Sequence, residues 1–298
     1  MRPPTPARDP AARLILRTTE PERSTHRYGS GLAEGFSSPA GLHRRPWLAR
    51  LRRALREDLF AVHYQPIVSI ADGRPAHYEA LVRLADEPAG SLVAPGRFLP
   101  AAERYGLVRD IDRLVLARVA TLLGSRTQGP RVAINLSALS VTDPAMLNHV
   151  ERCLCEHGAD PGRLVIEITE TAAISDMDRA RTFCRGLAAL GCEVALDDFG
   201  AGYGSFHYLT QLPFDYLKID GSFVRELTGS RNDQLVVQAL VGLARGMGVR
   251  TIAEYVTDRP TLTLLRRYGV DYAQGFELGR PHPRFPLADQ TPSERPAR

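Results

Sequence analysis

The sequence predicts an α/β protein built as a single barrel of the (β/α)8, TIM-like type. Three observations predict it. Strand-like and helical runs alternate along most of the chain. The strand-like runs are short and apolar, with β-branched residues and nearby glycine, the pattern of parallel strands buried on both faces. About eight of them fall within roughly 240 residues, which suits a closed barrel better than an open doubly wound sheet.

Residues 1–45 hold Pro3, Pro4, Pro6, Pro10, Pro21 and Pro39 among Arg, Ser and Gly without a sustained hydrophobic period, and read as a disordered leader. Trp47, Leu48, Leu51, Ala54, Leu55 and Leu59 recur at helical spacing and predict an amphipathic helix over 46–59. Strands are expected at 60–70, 77–84, 131–135, 164–168, 193–196, 216–219 and 250–253, with a short one near Tyr272. Helices are expected between most of them, at 109–123, 144–157, 176–190, 233–247 and 259–268. One domain thus runs over 46–286, and the polar, proline-bearing stretch 287–298 reads as a flexible tail.

Composition removes several classes. With 298 residues, 44% hydrophobic and 24% charged, the chain is neither wholly disordered nor fibrous. No apolar run approaches the roughly 18 to 20 residues that span a bilayer, and no apolar stretch follows the basic N-terminus as a secretory signal requires. Cys153, Cys155, Cys184 and Cys192 form no CxxC pair and read as reduced thiols of a cytoplasmic protein. The net charge of +4 comes largely from Arg in the leader, which reads as a solvated segment rather than an arm for a nucleic acid polymer. No GxGxxG follows a strand and no Walker loop occurs. Among 38 basic residues only one is lysine, Lys218. It is either incidental or marks a place where a compact ammonium is needed and a guanidinium fork will not serve.

Polar residues recur in or at the ends of the predicted strands: Glu79, Asn135, Glu167 with Glu170, Asp197 with Asp198, Lys218 with Asp220, Glu254 and Gln274. Each alone can be a helix cap or a turn residue. Together, in a barrel, they converge on one mouth, where a cluster of like charges is costly unless cations neutralise it. The donors are hard oxygens, with no His or Cys expected beside them, which selects Mg2+ or Mn2+ over Zn2+ or copper. The adjacent pair Asp197–Asp198 suits two metals with one bridging carboxylate, the usual device for phosphoester hydrolysis. Lys218 adds positive charge there, and Arg83 is placed to hold a second phosphate.

These residues lie in motifs that resemble the EAL-domain cyclic di-GMP phosphodiesterases, named for the sequence that here is Glu79-Ala80-Leu81. The likeness runs from about Phe60 to Pro283 and keeps order and spacing through YQPIV at 64–68, EALVR at 79–83, PGRFLPAAERYGL at 95–107, NLS, EITE, DDFGAGYGS at 197–205, LKID, AEYV and QGFELGRP at 274–281. The resemblance implies a modified barrel in which one strand runs antiparallel to the rest. It implies two divalent cations, the first held by Glu79, Asn135, Glu167 and Asp197, the second by Asp197, Asp198 and Glu254. Lys218 would contact the attacking water, Gln274 would support the site, and Glu170 would hold the loop after DDFG. Gln65, Leu81 and Arg83 would touch the dinucleotide. The implied reaction cleaves one phosphodiester of this bacterial second messenger to give linear pGpG, in a homodimer that pairs through the face near the DDFG loop, where Phe206, Tyr208 and Leu209 lie. The alternative is a catalytically weak or silent EAL module that serves as a cyclic di-GMP receptor or binds a protein. The family pattern Glu-Gly-Val-Glu is Glu254-Tyr255-Val256-Thr257 here, so an aromatic replaces a glycine and a threonine replaces a carboxylate expected near the metals.

Overall fold

The computed structural model describes residues 44–86, 91–126, 128–200 and 209–286. The predicted leader, but for its last two residues, the predicted tail, and Phe206 and Tyr208 lie outside them.

Helix α1 (Arg44–Arg56) buries Leu51 and Ala54 completely. Strands β1 (Phe60–Ser69) and β2 (Pro75–Asp86) then form an antiparallel hairpin. The short β3 (Ser91–Val93) pairs on the outer edge of β2. After α2 (Pro95–Arg104) and α3 (Val108–Gly124) come β4 (Arg131–Leu136), α4 (Ala138–Val141) and α5 (Pro144–His157). The rest alternates: β5 (Leu164–Thr169), α6 (Glu170–Ser175), α7 (Met177–Leu190), β6 (Glu193–Phe199), β7 (Tyr216–Ile219), α8 (Gly221–Arg225), α9 (Arg231–Gly246), β8 (Arg250–Ala253), α10 (Arg259–Tyr268) and β9 (Tyr272–Gln274).

The sheet order is β1-β9-β8-β7-β6-β5-β4-β2-β3, and β1 also pairs with β2, so eight strands close into a barrel and β3 stays outside. Strand β1 is antiparallel to both of its neighbours, while the pairs from β2–β4 round to β8–β9 are parallel. The α/β barrel with one antiparallel strand is therefore the fold.

Local chemistry explains why several boundaries were legible. Asp143 caps α5 by accepting from Ala145 N, Pro144 follows at the first helical position, and Gly158 ends the helix with φ 60°. Asp258 and Gly269 do the same for α10. The elements missed in the sequence are β3, α2, α4, α6 and α8. Four of them have six residues or fewer, and α2 carries Pro100 inside it, so none shows a sustained period.

Two apolar layers follow from alternation along the strands. Outward residues such as Ile134, Ile166, Leu196, Leu217 and Ala253 pack against the surrounding helices. Inward Ile67, Ala133, Val165, Ala195, Tyr216 and Ile252 form a separate plug inside the barrel. None of the helices among the described residues is long and apolar enough to cross a membrane.

Candidate active site

The inner plug fixes where the polar residues must lie. Two residues beyond Ala133, Val165, Ala195, Tyr216 and Ile252 stand Asn135, Glu167, Asp197, Lys218 and Glu254. A period of two returns each side chain to the barrel interior, one layer nearer the mouth. On the hairpin, Gln65 sits opposite Glu79, and Gln274 follows Tyr272 on β9. The structure thus brings these eight residues into one ring above an apolar floor.

Lys218 is the hub. It is 0% exposed, and its Nζ lies 2.8 Å from Glu167 Oε2, 2.9 Å from Asp197 Oδ1 and 2.8 Å from Glu254 Oε1. Burial alone would depress its pKa, but the carboxylates of Asp197, Glu167, Glu254 and Glu79 outweigh it and hold the ammonium well above its ordinary value. One ammonium cannot balance the acids around it. Burial, with Glu79 and Asp197 beside it, raises Glu167 well above the usual carboxylate range despite Lys218. Burial, then Asp197 and Glu254, push Asp198 up to about 9. Burial, then Asp197 and Glu79, raise Glu254 to about 8 against the pull of Lys218.

Glu79 completes the ring without an ion pair to Lys218. Its Oε1 accepts from Asn135 Nδ2 at 2.7 Å and its Oε2 from Gln274 Nε2 at 2.6 Å. Gln274 Nε2 also reaches Gln65 Oε1 at 3.3 Å, and Gln65 donates to Gly279 O at 3.1 Å. Glu167 Oε1 and Asp197 Oδ2 are buried acceptors with no donor. Carboxyl oxygens of Asp197, Asp198 and Glu254 lie within 4.8 Å of one another. Orphaned anionic oxygens in a hard-oxygen ring are what a divalent cation satisfies, so the donor set fits the expected metals.

Adjacent residues on a regular strand face opposite ways, so Asp197 and Asp198 need a local device to share one site. The pairing of β6 with β7 shifts register between Leu196 and Phe199, and Asp198 takes a left-handed backbone with φ 54°. This bulge turns Asp198 toward the mouth, and its N–H bonds Asp197 Oδ1 at 2.9 Å. Two residues on, Gly200 has φ 92°, and a Cβ there would meet the Phe223 ring of α8 at 2.8 Å. Glu170, at the start of α6, accepts from Gly200 N at 3.0 Å and so ties down the end of β6. Tyr255, directly after Glu254, is also left-handed at φ 60°, which explains why glycine suits that position in the family pattern. Arg225 of α8 lies over its ring at 4.0 Å.

Leu81 and Arg83 follow Glu79 on the same face of β2, further toward the mouth. Burial lowers the Arg83 pKa, partly offset by Glu79, and its Nη1 donates to Val82 O at 2.9 Å. One imidazole stands further out, beside Arg83 rather than beside the oxygen donors. His63 stands opposite Leu81 on β1, two residues beyond Gln65, and burial together with Arg83 and His282 lowers its pKa. Alternation in HYQP puts His63 on the face of Gln65, but the rim it joins forms only when β1 pairs with β2. Asp220 is the N-cap of α8, accepting from Ser222 N at 2.8 Å. Leu209 is only 1% exposed and belongs to the core. Thr257 is exposed and bonds Asp258 at 3.5 Å.

The EAL domain family model matches residues 48–281. The chain belongs to the EAL domain family. Among its relatives, cyclic di-GMP phosphodiesterase PdeB of Shewanella oneidensis is 35% identical over 82% of this chain and 29% of its own length. Cyclic di-GMP phosphodiesterase PdeF of Escherichia coli is 32% identical over 91% of this chain and 36% of its own length. The EAL domain described here therefore spans about a third of the length of such relatives. Two solved structures superpose closely. A PaMucR phosphodiesterase in complex with c-di-GMP gives a TM-score of 0.76 at 36% identity, covering 80% of this chain and 98% of that one. The FimX EAL domain of Pseudomonas aeruginosa bound to c-di-GMP gives 0.75 at 32% identity, covering 80% and 97%.

Proposed function

We propose that this EAL domain is a metal-dependent phosphodiesterase that hydrolyses one phosphodiester of cyclic di-GMP to linear pGpG, with two Mg2+ or Mn2+ ions. One observation carries the reading: five carboxylates, Glu79, Glu167, Asp197, Asp198 and Glu254, surround a single buried ammonium, and two of their oxygens lack any donor. Such an arrangement is costly as a structural core and makes sense as a cation site.

Glu79, Asn135, Glu167 and Asp197 would hold one cation, and Asp197, Asp198 and Glu254 the other. When bound, the pair of cations supplies an activated water and positive charge around the phosphate. Lys218, held by Glu167, Asp197 and Glu254, would contact the attacking water beside the cations. Gln274 and Asn135 orient Glu79 through bonds to both of its oxygens. Gln65, Leu81 and Arg83 line the side of the mouth where the dinucleotide would lie, with Arg83 facing a phosphate. Glu170 fixes the end of β6 through Gly200. Pairing of two copies through the DDFG-loop face belongs to the same proposal, and light scattering at micromolar concentration tests it. Location in the cytoplasm, where cyclic di-GMP is found, goes with the same reading.

The test is incubation with cyclic di-GMP and Mn2+, with chromatography for pGpG. Metal-dependent appearance of pGpG supports the enzyme. Tight nucleotide binding without pGpG at saturating Mn2+ transfers the chain to the receptor reading.

A further inference from the structure

A second buried carboxylate lies outside the acidic ring, on α3. Asp112 is 4% exposed. Its Oδ2 accepts three bonds: from Ser137 N at 3.0 Å, Ser137 Oγ at 2.6 Å and Ser140 Oγ at 2.6 Å. Ser137 stands two residues past Asn135, on the turn that leaves β4. The same helix face makes two more bonds to this connection. Arg109 Nε donates to Leu139 O at 3.0 Å, and Arg113 Nη2 meets Asp143 Oδ2 at 2.8 Å. Residues 109, 112 and 113 are spaced i, i+3, i+4 and so share one face. Three side chains of α3 therefore grip one short connection at three points.

The grip lies directly behind the ring. Asp112, Asn135 and Leu81 all line one cavity of about 30 Å³. Burial raises the Asp112 carboxyl to about 6 against the pull of its three donors, so the group is kept at an energetic cost. A well-packed apolar residue would fill such a place at lower cost.

We infer that Asp112 is a positioning residue for the metal centre: by fixing the Ser137–Ser140 turn it aims the Asn135 carboxamide at Glu79. Asn135 contributes the 2.7 Å bond to Glu79 Oε1, and β4 ends one residue later, at Leu136. A loosened turn lets the last residues of β4 swing, and Glu79 then loses the donor that orients it. Ser137 alone cannot hold the turn. Its hydroxyl caps α4 at 3.2 Å from Ser140 N while donating to Asp112, and both serines depend on the same oxygen. The inference rests on the metal-dependent reading of the ring.

The experiment uses the full chain, with Mn2+ binding measured by calorimetry without nucleotide, beside thermal melting and metal-titrated hydrolysis. Asp112→Asn keeps the shape but replaces the charged acceptor by a neutral carbonyl oxygen, which weakens all three bonds. The expected result is a melting temperature within about 3 °C of wild type and a Mn2+ half-saturation raised about tenfold, the low end of what groups supporting metal ligands command. Saturating Mn2+ should recover most of the rate. A lower melting temperature with unchanged Mn2+ affinity overturns the inference and makes Asp112 a core residue only. Should Asp112→Asn fail to fold, Ser140→Ala removes one of the three donors, and wild-type Mn2+ affinity there overturns the inference equally. If wild type binds Mn2+ but makes no pGpG, the hydrolase reading fails while the binding comparison still decides the role of Asp112. If wild type binds no Mn2+, both fail.

Discussion

At the lower end of the barrel Glu193 meets two guanidinium groups, whereas at the mouth Glu167, Asp197 and Glu254 share one ammonium. Glu193 lies 2.7 Å from Arg131 Nε and 2.8 Å from Arg250 Nη2, and accepts from Tyr216 Oη at 2.8 Å. Burial would raise its carboxyl, but the bonds from Arg250 and Tyr216 and the charge of Arg131 outweigh burial and hold it below the usual range. Arg250 also covers the Tyr216 ring at 4.1 Å, and His77 stays neutral there because burial, then Arg131, lower its pKa to about 4. At the mouth the balance reverses: Asp198 and Glu254 are pushed up to about 9 and about 8. Both groups stand on the inner face of the same strands, β6 and β8 above all. At the lower end two guanidiniums hold one carboxylate, with His77 Nδ1 and the ion-paired Arg131 Nε left without a hydrogen-bond partner among the described residues. At the mouth carboxylates outnumber the ammonium, and only added positive charge balances them.

Glu79→Ala should break the mouth most severely. Loss of a metal ligand removes several kcal/mol of transition-state stabilisation, at least about a thousandfold in rate, while circular dichroism stays that of the folded protein. Near-normal turnover would remove Glu79 from the metal assignment. Lys218→Arg keeps the charge but replaces a compact ammonium with a planar fork in a fully buried space. The rate of cyclic di-GMP hydrolysis should fall at least about tenfold, or 1.4 kcal/mol of barrier. Wild-type rates would make the single lysine incidental.

The two ends should also answer pH differently. Asp198 and Glu254 have folded-state pKa values raised above those of the unfolded chain, so the metal-free folded state binds more protons. Their contribution is therefore lost as pH rises, and the loss is complete above about 9. In EDTA the melting temperature should fall between pH 6 and 9, and saturating Mn2+ should flatten that fall. An equal slope with and without metal would contradict the cation reading of the mouth. Glu193 has the opposite sign. Its lowered pKa gives stability that is present above the unfolded value and lost as pH falls through the folded one. Glu193→Gln should thus cost about 1 to 2 kcal/mol of stability at neutral pH, discounted for its partial exposure, and leave the Mn2+ half-saturation unchanged. A shift in metal affinity would show that the two ends are coupled.

The smallest effect is expected at Thr257. Restoring a carboxylate with Thr257→Glu should lower the metal concentration for half-maximal rate by about twofold, since an exposed charge is worth less than about 1 kcal/mol. Coincident rate curves against metal concentration would detach this position from the metals.

The strand pattern, the order of the motifs and the lone lysine were legible in the sequence. Alternation forces Glu167 and Asp197 inward once Val165 and Ala195 are core residues, because the side-chain period of a strand is two. The capping chemistry of Asp143 and Gly158 likewise fixed α5, because both act within a few residues of chain. Other features needed the tertiary structure. That Asp198 joins Asp197 depends on the bulge opposite β7, a pairing between segments that the local pattern does not encode. Asp112 and His63 went unseen because their partners lie elsewhere in the chain. Ser137 is 25 residues from Asp112, and the rim that holds His63 exists only once β1 turns antiparallel against β2. Residue type and spacing determined which groups face the barrel interior, while long-range closure decided which oxygens meet the one ammonium and which are left without a partner.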